Sequence, residues 1–208
     1  MKKRVYKITL GFAGFISGVF SFLLVAKFDQ LLQGGKYFKL SFLSLGAGVV
    51  WGIIIFLLLL IFPSGQTSKK LPVPLKFFFW TISSTVAYYL AFLTTNFLTS
   101  LLSSPHQEIP STSLPLFAGG FLGGLIVLFA FNIFYCRISK KVILLLAVVS
   151  GFLGQSFIYG SLIEFSFFPF TQNNVGLLPL YVVWQTGMAF ALGWIIDKKQ
   201  KIQSSISH

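Results

Sequence analysis

The sequence predicts an all-α integral membrane protein in which six transmembrane helices form one polytopic domain over residues 1–208. Of these residues 55% are hydrophobic and only 10% are charged, with a mean hydropathy of +0.85, a composition that excludes a soluble globular protein. Six uncharged stretches also reach the roughly 20 residues that a helix needs to cross a hydrocarbon core about 30 Å thick. The single cysteine excludes a disulfide scaffold.

The six predicted spans follow one another with short connections. In chain order they cover residues 5–26, 40–62, 77–98, 116–135, 142–162 and 177–196. Residues that favour turns lie between them: Gly34-Gly35, Pro63-Ser64-Gly65, Pro105 with Pro110, and Asn173-Asn174 with Gly176. Short connections between antiparallel neighbours predict a compact helical bundle.

Basic residues are distributed unevenly between the two sides of this bundle. Thirteen of the 16 lysines and arginines lie in the N-terminal tail, the second and fourth loops and the C-terminal tail, whereas Lys27, Lys36 and Lys39 are predicted in the first loop. Because short loops rich in lysine and arginine stay on the cytoplasmic side, both termini are predicted to be cytoplasmic. The compact loops and basic tails favour a bacterial plasma (inner) membrane.

The net charge of +12 is spread over four separate segments next to the membrane. This distribution predicts contact with anionic lipid at the cytoplasmic face and argues against nucleic-acid binding, which needs a basic patch on one domain. Tyr6, Trp80, Tyr135 and Trp194 fall at predicted inner boundaries, and Tyr181 falls near an outer one. These positions predict belts of aromatic residues at the two lipid headgroup regions.

The chain matches itself at an offset of about 105 residues. Phe12-Ala13-Gly14 with Gly18 corresponds to Phe117-Ala118-Gly119 with Gly123, Gly46 corresponds to Gly151, and Pro74-Leu75 before Trp80 corresponds to Pro179-Leu180 before Trp184. A duplicated three-helix unit would explain these matches, and an odd number of helices inverts the second copy in the membrane. Chance matching in a chain rich in Phe, Gly and Leu is the alternative.

Small residues recur at helical spacing in three spans. The predicted helix-packing positions are Gly14, Gly18, Gly119, Gly123, Gly151 and Gly154. Such faces let two helix backbones approach closely, either within one chain or against a partner subunit. A carrier is expected to bury these faces internally, whereas a scaffold subunit is expected to turn them toward lipid.

No charged residue lies in the interior of a span, because Asp29, Glu108 and Asp197 are predicted in loops and Glu164 at the outer end of span five. The two histidines, His106 and His208, are a loop residue and the last residue. Carboxylate proton relays, metal centres and haem ligation are therefore excluded from the prediction, and no nucleophile has a base nearby. The chain is predicted to be a non-enzyme without cofactor or metal.

The polar residues left inside the spans are neutral. Those proposed to line a ligand cavity are Ser84, Tyr88, Gln155, Tyr159, Glu164, Trp184 and Gln185. A side-chain amide at membrane depth needs partners, so Gln155 and Gln185 are both expected to point inward. Aromatic rings with a few converging polar groups suit a small, partly apolar, neutral or cationic ligand. Hydrogen bonds that merely hold helices together are the alternative interpretation.

The predicted function is that of a small multi-pass permease or substrate-binding transport component, acting as a homodimer or with a membrane partner subunit. In topology alone, six short-looped helices with both ends cytoplasmic resemble the small substrate-binding subunits of vitamin-type uptake systems. A non-catalytic structural or assembly subunit of a larger membrane complex is the competing hypothesis, because glycine-rich faces and minimal loops fit it as well.

Overall fold

Six α-helices make up the computed structural model of this protein, which describes residues 6–31, 36–61, 71–102, 113–156, 158 and 177–206. They are α1 (Tyr6–Leu31), α2 (Lys36–Ile61), α3 (Val73–Leu102), α4 (Ser113–Phe134), α5 (Lys140–Gly154) and α6 (Leu177–Ile206). Across the described ranges the chain is helical and contains no strand. The all-α class predicted from composition is therefore confirmed.

Four of these helices are long and apolar enough to cross a membrane. Their spanning stretches are Tyr6–Val25, Val73–Leu102, Ser113–Phe134 and Leu178–Ile202. In α2 the corresponding apolar helix, Leu45–Ile61, is shorter. Apolar helices of this length are those that need hydrocarbon around them.

Most helices extend beyond the apolar stretches that predict them. Lys27 and Asp29 belong to α1 while Lys36 and Lys39 belong to α2, so their placement in the first loop is wrong. Asp197 likewise lies within α6, where a loop was expected. Backbone hydrogen bonding continues past the hydrocarbon edge because nothing in water or headgroups forces a helix to stop there. The turn residues predicted between the spans lie outside the described residues: Gly34-Gly35, Pro63-Ser64-Gly65, Pro105, Pro110, Asn173-Asn174 and Gly176.

Helix α5 is the exception, since its continuous helix is shorter than the predicted span of residues 142–162. The Gln155 N–H donates to the Phe152 carbonyl oxygen at 3.1 Å, and the Ile158 N–H donates to the Gln155 carbonyl oxygen at 3.0 Å. Both bonds reach back three residues, the tighter pattern that ends many α-helices. The end of α5 at Gly154 places Gln155 at a helix end.

The helices form a closed ring in which each contacts its neighbours in the chain and α6 returns to α1. Helix α6 also contacts α4 and α2 across the interior. The core is therefore the space enclosed by the ring, filled by large side chains such as Trp51, Trp80, Phe131 and Met188.

The backbones of α1 and α6 approach each other closely, and this contact completes the ring of helices. A Cβ atom added at Gly18 would lie 2.6 Å from the Cα of Val182, and one at Gly14 would lie 2.7 Å from the Cβ of Ala189. Neither distance leaves room for a side chain. Glycine is therefore required at both positions for α1 to pack at this distance.

The later glycines also pack against neighbouring helices of the same chain. A Cβ at Gly119 would lie 2.6 Å from the Ala91 carbonyl oxygen in α3, and one at Gly123 would lie 3.2 Å from the Ala91 Cβ. Gly151 faces the Phe117 ring and Gly154 faces the Leu116 carbonyl oxygen, both in α4. The small-residue faces are thus occupied by intramolecular contacts.

Candidate functional site

A continuous file of aromatic rings runs along the interior of the bundle. From the cytoplasmic end predicted above it passes through Tyr135, Trp80, Trp51, Trp184, Tyr88 and Tyr181. The successive ring centroids are 5.4, 5.7, 6.1, 5.0 and 6.4 Å apart. Ring pairs at these separations attract one another through their quadrupoles as well as by burial. We call these six residues the aromatic file.

Two indole groups of the aromatic file are anchored to neighbouring helices. Trp80 Nε1 of α3 donates to the Gly52 carbonyl oxygen of α2 at 3.1 Å. Trp184 Nε1 of α6 donates to Ser150 Oγ of α5 at 2.8 Å, and Ser150 Oγ in turn donates to the Gly120 carbonyl oxygen of α4 at 2.7 Å. These bonds fix the two ring planes and satisfy both indole donors.

Other polar atoms along the aromatic file have no hydrogen-bond partner among the residues that the structure describes. Trp51 Nε1, Tyr88 OH and Gln185 Oε1 are buried and unpaired, as is Tyr135 OH nearer the cytoplasmic end. Trp51 and Gln185 are both 0% exposed. Leaving such an atom unpaired costs about 1–3 kcal/mol, so each of these buried groups needs a partner such as an ordered water or a bound molecule.

Gln185 lies in the N-terminal third of α6 and joins it to α1. Its Nε2 donates to Ser21 Oγ at 3.0 Å, which orients the amide. The Tyr88 hydroxyl is the polar neighbour of this amide in α3. The amide is therefore oriented by Ser21, and its Oε1 accepts no hydrogen bond among the described residues.

Four of the seven residues predicted to line a cavity lie in this interior: Ser84, Tyr88, Trp184 and Gln185. Ser84 Oγ donates to the Trp80 carbonyl oxygen in its own helix at 2.9 Å. This local bond already satisfies the Ser84 donor, so the site is formed chiefly by the rings and by Gln185.

Gln155 does not lie with this group. Its Nε2 donates to the carbonyl oxygen of Ser113, the first residue of α4, at 3.3 Å. The residue is half-buried at the C-cap of α5, and its amide finds its partner on a neighbouring helix end instead of beside Gln185. Tyr159 and Glu164 lie outside the described residues.

The prediction that aromatic residues form belts at the lipid headgroups is wrong for several positions. The same error explains why sequence reasoning missed part of the interior site. Tyr6, Trp80, Tyr135 and Tyr181 are buried inside the protein and do not face the headgroup region, whereas Trp194 is only half-buried. Because Trp80 was assigned to the inner aromatic belt, it was not predicted as a residue of the interior site. Trp51 was not predicted as a site residue either. A tryptophan halfway along the apolar stretch of α2 was the available signal, because indole N–H groups usually sit where a partner exists.

A second polar cluster ties the two ends of the chain together at the predicted cytoplasmic face. The Asp197 carboxylate accepts hydrogen bonds from the backbone N–H groups of Tyr6 at 3.1 Å and Lys7 at 3.3 Å. Gln200 Nε2 donates to Tyr6 OH at 3.2 Å. Helix α6 thus supplies in space the cap that the first turn of α1 lacks in sequence.

The single cysteine lies next to this cluster, in the connection between α4 and α5. Burial raises the pKa of the Cys136 thiol, and the nearby Lys199 ammonium partly offsets that effect. Cys136 Sγ lies 4.0 Å from the Arg137 carbonyl oxygen. The contact with Lys199 places the connection between α4 and α5 beside the C-terminal part of α6.

The buried side chains of this interior site are apolar, aromatic or neutral polar among the residues that the structure describes. Among the residues that the structure describes, no three histidine, cysteine or acidic side chains come together as a metal site. Comparison with protein-family models, curated proteins and solved structures finds no match to this chain. The arrangement of the site itself therefore carries the functional argument.

Proposed function

We propose that this protein is a small membrane permease or substrate-binding transport component whose small, partly apolar ligand binds midway through the bundle. The observation that carries the proposal is the group of three unpaired, buried polar atoms: Trp51 Nε1, Tyr88 OH and Gln185 Oε1. Lipid hydrocarbon supplies no hydrogen-bond partner, so a ligand of matching chemistry gains what these atoms lack.

In this proposal all six helices cross the membrane and both termini are cytoplasmic. The bond from Asp197 to the start of α1 supports it, since it joins the first and last parts of the chain at one end of the bundle. The contact of Cys136 with Lys199 brings the basic connection between α4 and α5 to the same end. Basic residues gathered at one end agree with the distribution expected for cytoplasmic loops.

Exposed basic side chains at that end are proposed to bind anionic lipid. They are Arg137, Lys140, Lys141, Lys198 and Lys201. Each would contribute about 1 kcal/mol of attraction near an anionic surface. A bacterial plasma membrane, whose inner face is cytoplasmic, is the proposed location.

Two inverted three-helix repeats are part of the proposal, and matching contacts in the two halves support it. Gly14 and Gly18 pack α1 against α6, while their counterparts Gly119 and Gly123 pack α4 against α3. In a repeat of three helices α1 corresponds to α4 and α3 corresponds to α6. The contact between α1 and α6 therefore corresponds to the contact between α4 and α3. The two pairs of glycines therefore pack corresponding pairs of helices, although the residues that they touch, Ala189 in one half and Ala91 in the other, do not correspond at this offset.

The other matched positions also make contacts between corresponding pairs of helices. Gly46 of α2 faces Leu24 of α1, and Gly151 of α5 faces Phe117 of α4. Trp80 of α3 donates to α2, and Trp184 of α6 donates to α5. Transporters built from inverted repeats place their substrates near the bilayer midplane between the repeats, and Trp184 and Gln185 fall near the centre of the predicted span of residues 177–196.

The burial of the small-residue faces also favours a carrier over a scaffold. Gly14, Gly18, Gly119 and Gly123 all contact helices of the same chain, so these faces are not free to hold a partner subunit. A scaffold was expected to present them to lipid.

Native mass spectrometry of protein extracted gently from its own membrane tests the proposal. We expect a reproducible small-molecule adduct that is lost in Gln185→Leu and kept in Gln155→Leu, because only Gln185 contributes to the interior site. Gln155→Leu is a matched control for the loss of an amide from a predicted span. A chain that carries no small molecule in any sample would contradict the proposal.

An assembly subunit of a larger membrane complex is the second candidate, and the outward face of α3 favours it. Only 17% of the apolar window of α3 is buried, against 44% to 50% in the other three spanning helices. Phe78, Phe97 and Leu101 are exposed on this helix. Stoichiometric partner chains in the same mass spectra, without a small adduct, would support this alternative.

A further inference from the structure

We propose that two copies of this protein associate through the outward face of α3, where the Asn96 amide of one copy bonds to the Asn96 amide of the other. This inference goes beyond the proposed function, which concerns the interior of one chain. Two independent observations on α3 carry it. One is an exposed carboxamide within a membrane-spanning stretch, and the other is a row of exposed residues with the spacing of a helix-pairing surface.

Asn96 differs from every other carboxamide in the four spanning stretches. The other three have partners within the chain: Asn132 Oδ1 accepts from the Ile138 N–H, Gln185 Nε2 donates to Ser21 Oγ and Gln200 Nε2 donates to Tyr6 OH. Asn96 is exposed, and no hydrogen bond joins its side chain to another residue that the structure describes. Its two N–H groups and its carbonyl oxygen are therefore available to a further partner.

Asn96 lies at a depth where lipid offers no such partner. Its position is six residues, about 9 Å along the helix axis, before the end of the spanning stretch at Leu102. The exposed residues around it, Leu93, Phe97 and Leu101, are apolar. Hydrocarbon chains have neither donors nor acceptors, so an amide among them is costly unless another polar group pairs with it. A second protein surface is the source of that group.

The exposed residues on this face of α3 follow a heptad pattern, with alternating steps of four and three residues. They form what we call the α3 seam: Leu75, Phe79, Ile82, Val86, Tyr89, Leu93, Asn96 and Ser100. All are exposed except Tyr89, which is half-buried, and the buried residues of α3 lie on the opposite face. A repeat that averages 3.5 residues is that of two helices packed side by side at a crossing angle of about 20°.

A second copy of this chain fits the α3 seam because the seam is complementary to itself. Two copies inserted in the same orientation are related by a two-fold axis along the membrane normal, so their α3 helices run parallel and equal residues meet. Asn96 then meets the partner's Asn96, and a carboxamide can both donate to and accept from its own kind. A single asparagine in an apolar seam also fixes the register of the two helices.

The amide pair supplies the specific attraction, because the rest of the α3 seam does not. Lipid tails are as apolar as leucine, so no hydrophobic driving force brings apolar side chains together within a membrane. Packing faces of small residues are the usual alternative, but the glycines of such faces contact helices of the same chain. Ser100 Oγ already donates to the Phe97 carbonyl oxygen of its own helix at 2.7 Å. Removal of the Asn96 amide alone should therefore separate the copies.

Disulfide cross-linking of the full-length protein in its own membrane tests which face pairs. Cys136→Ser removes the native thiol, and Leu93→Cys then places one thiol on the α3 seam. Phe20→Cys is the matched control, because Phe20 is exposed on α1 at a similar depth in its predicted span. After oxidation with copper–phenanthroline we expect a disulfide-linked dimer of identical chains for Leu93→Cys and only monomer for Phe20→Cys.

Energy transfer between donor-labelled and acceptor-labelled copies, reconstituted in liposomes over a range of protein-to-lipid ratios, measures the strength of association. We expect Asn96→Leu to raise the dimer dissociation constant about tenfold or more, and Asn96→Gln, which keeps the carboxamide, to retain most of the affinity. The detergent midpoint for unfolding of Asn96→Leu should equal that of the wild type, because the side chain faces out of the fold. A role of Asn96 in folding would lower that midpoint instead.

Equal cross-linking of Leu93→Cys and Phe20→Cys would indicate random collision and overturn this inference. So would the absence of cross-linking in Leu93→Cys, or the same dissociation constant for wild type and Asn96→Leu. A chain of different sequence cross-linked at position 93 would also overturn it and would favour the assembly-subunit alternative. None of these outcomes changes the small-molecule adduct expected at Gln185, so this inference and the proposed function fail separately.

Discussion

Replacing Gly14 with alanine tests the close packing of α1 on α6 at the point where α6 carries Gln185. The added Cβ would lie 2.7 Å from the Ala189 Cβ and nearer still to the Gln185 carbonyl oxygen. Carbon atoms pack favourably at about 3.5 to 4.0 Å, so the two helices must separate by about 1 Å. Backbone atoms cannot turn aside as a flexible side chain would.

The expected cost is about 1–3 kcal/mol of unfolding free energy, the usual penalty for overpacking a close-packed interior. Gly11→Ala is the matched control one turn earlier in α1. Its Cβ would meet the Phe190 side chain at an ordinary 3.4 Å. Both variants share the gain in helix propensity from glycine to alanine, so the difference between them isolates the steric term.

Unfolding of the two variants in mixed micelles of increasing denaturing detergent measures this difference. We expect the midpoint for Gly14→Ala to fall well below that for Gly11→Ala. Ligand binding should weaken in Gly14→Ala as well, because separating α1 from α6 moves the Gln185 backbone and stretches the bond to Ser21. Equal midpoints for the two variants would refute the reasoning.

Three further outcomes follow from individual contacts. Asp197→Ala should destabilise the start of α1 by about 0.5–2 kcal/mol, because two backbone N–H groups lose their acceptor; unchanged hydrogen exchange at Tyr6 would contradict this. Ser150→Ala should cost about 1–3 kcal/mol, because the Trp184 indole N–H loses its partner; a detergent midpoint equal to wild type would argue against it. Since burial raises the Cys136 pKa, maleimide labelling should be slower than for an unfolded chain at pH 7 and accelerate as the pH rises; equal rates in folded and unfolded protein would show the opposite.

The two glutamines show where sequence reasoning stopped. Gln155 and Gln185 are the same residue type, both within predicted spans and both next to small or aromatic residues. The structure separates them because the Gln155 amide bonds to the first residue of α4, whereas the Gln185 amide bonds to Ser21 of α1. Which neighbouring helix supplies the partner depends on tertiary packing, which hydropathy does not report.

Trp80 and Tyr135 show a related limit. Their distance from the charged segments predicted their positions along the bilayer normal. It did not predict the direction in which each ring points. In a helix that is apolar all round, the hydrophobic pattern no longer distinguishes the core from the lipid face. Burial of both rings is therefore decided by which helices pack next to them.

The sequence by itself determined the helical class of this protein and the presence of helices long and apolar enough to cross a membrane, because both follow from local composition summed over about 20 residues. It also pointed to the glycine positions, since small residues at helical spacing are the means by which helices in lipid approach closely. The tertiary structure alone decided which polar groups meet. Trp51, Tyr88 and Gln185 come from α2, α3 and α6, and they come together only when the ring of helices closes and leaves their hydrogen-bonding atoms without partners among the described residues.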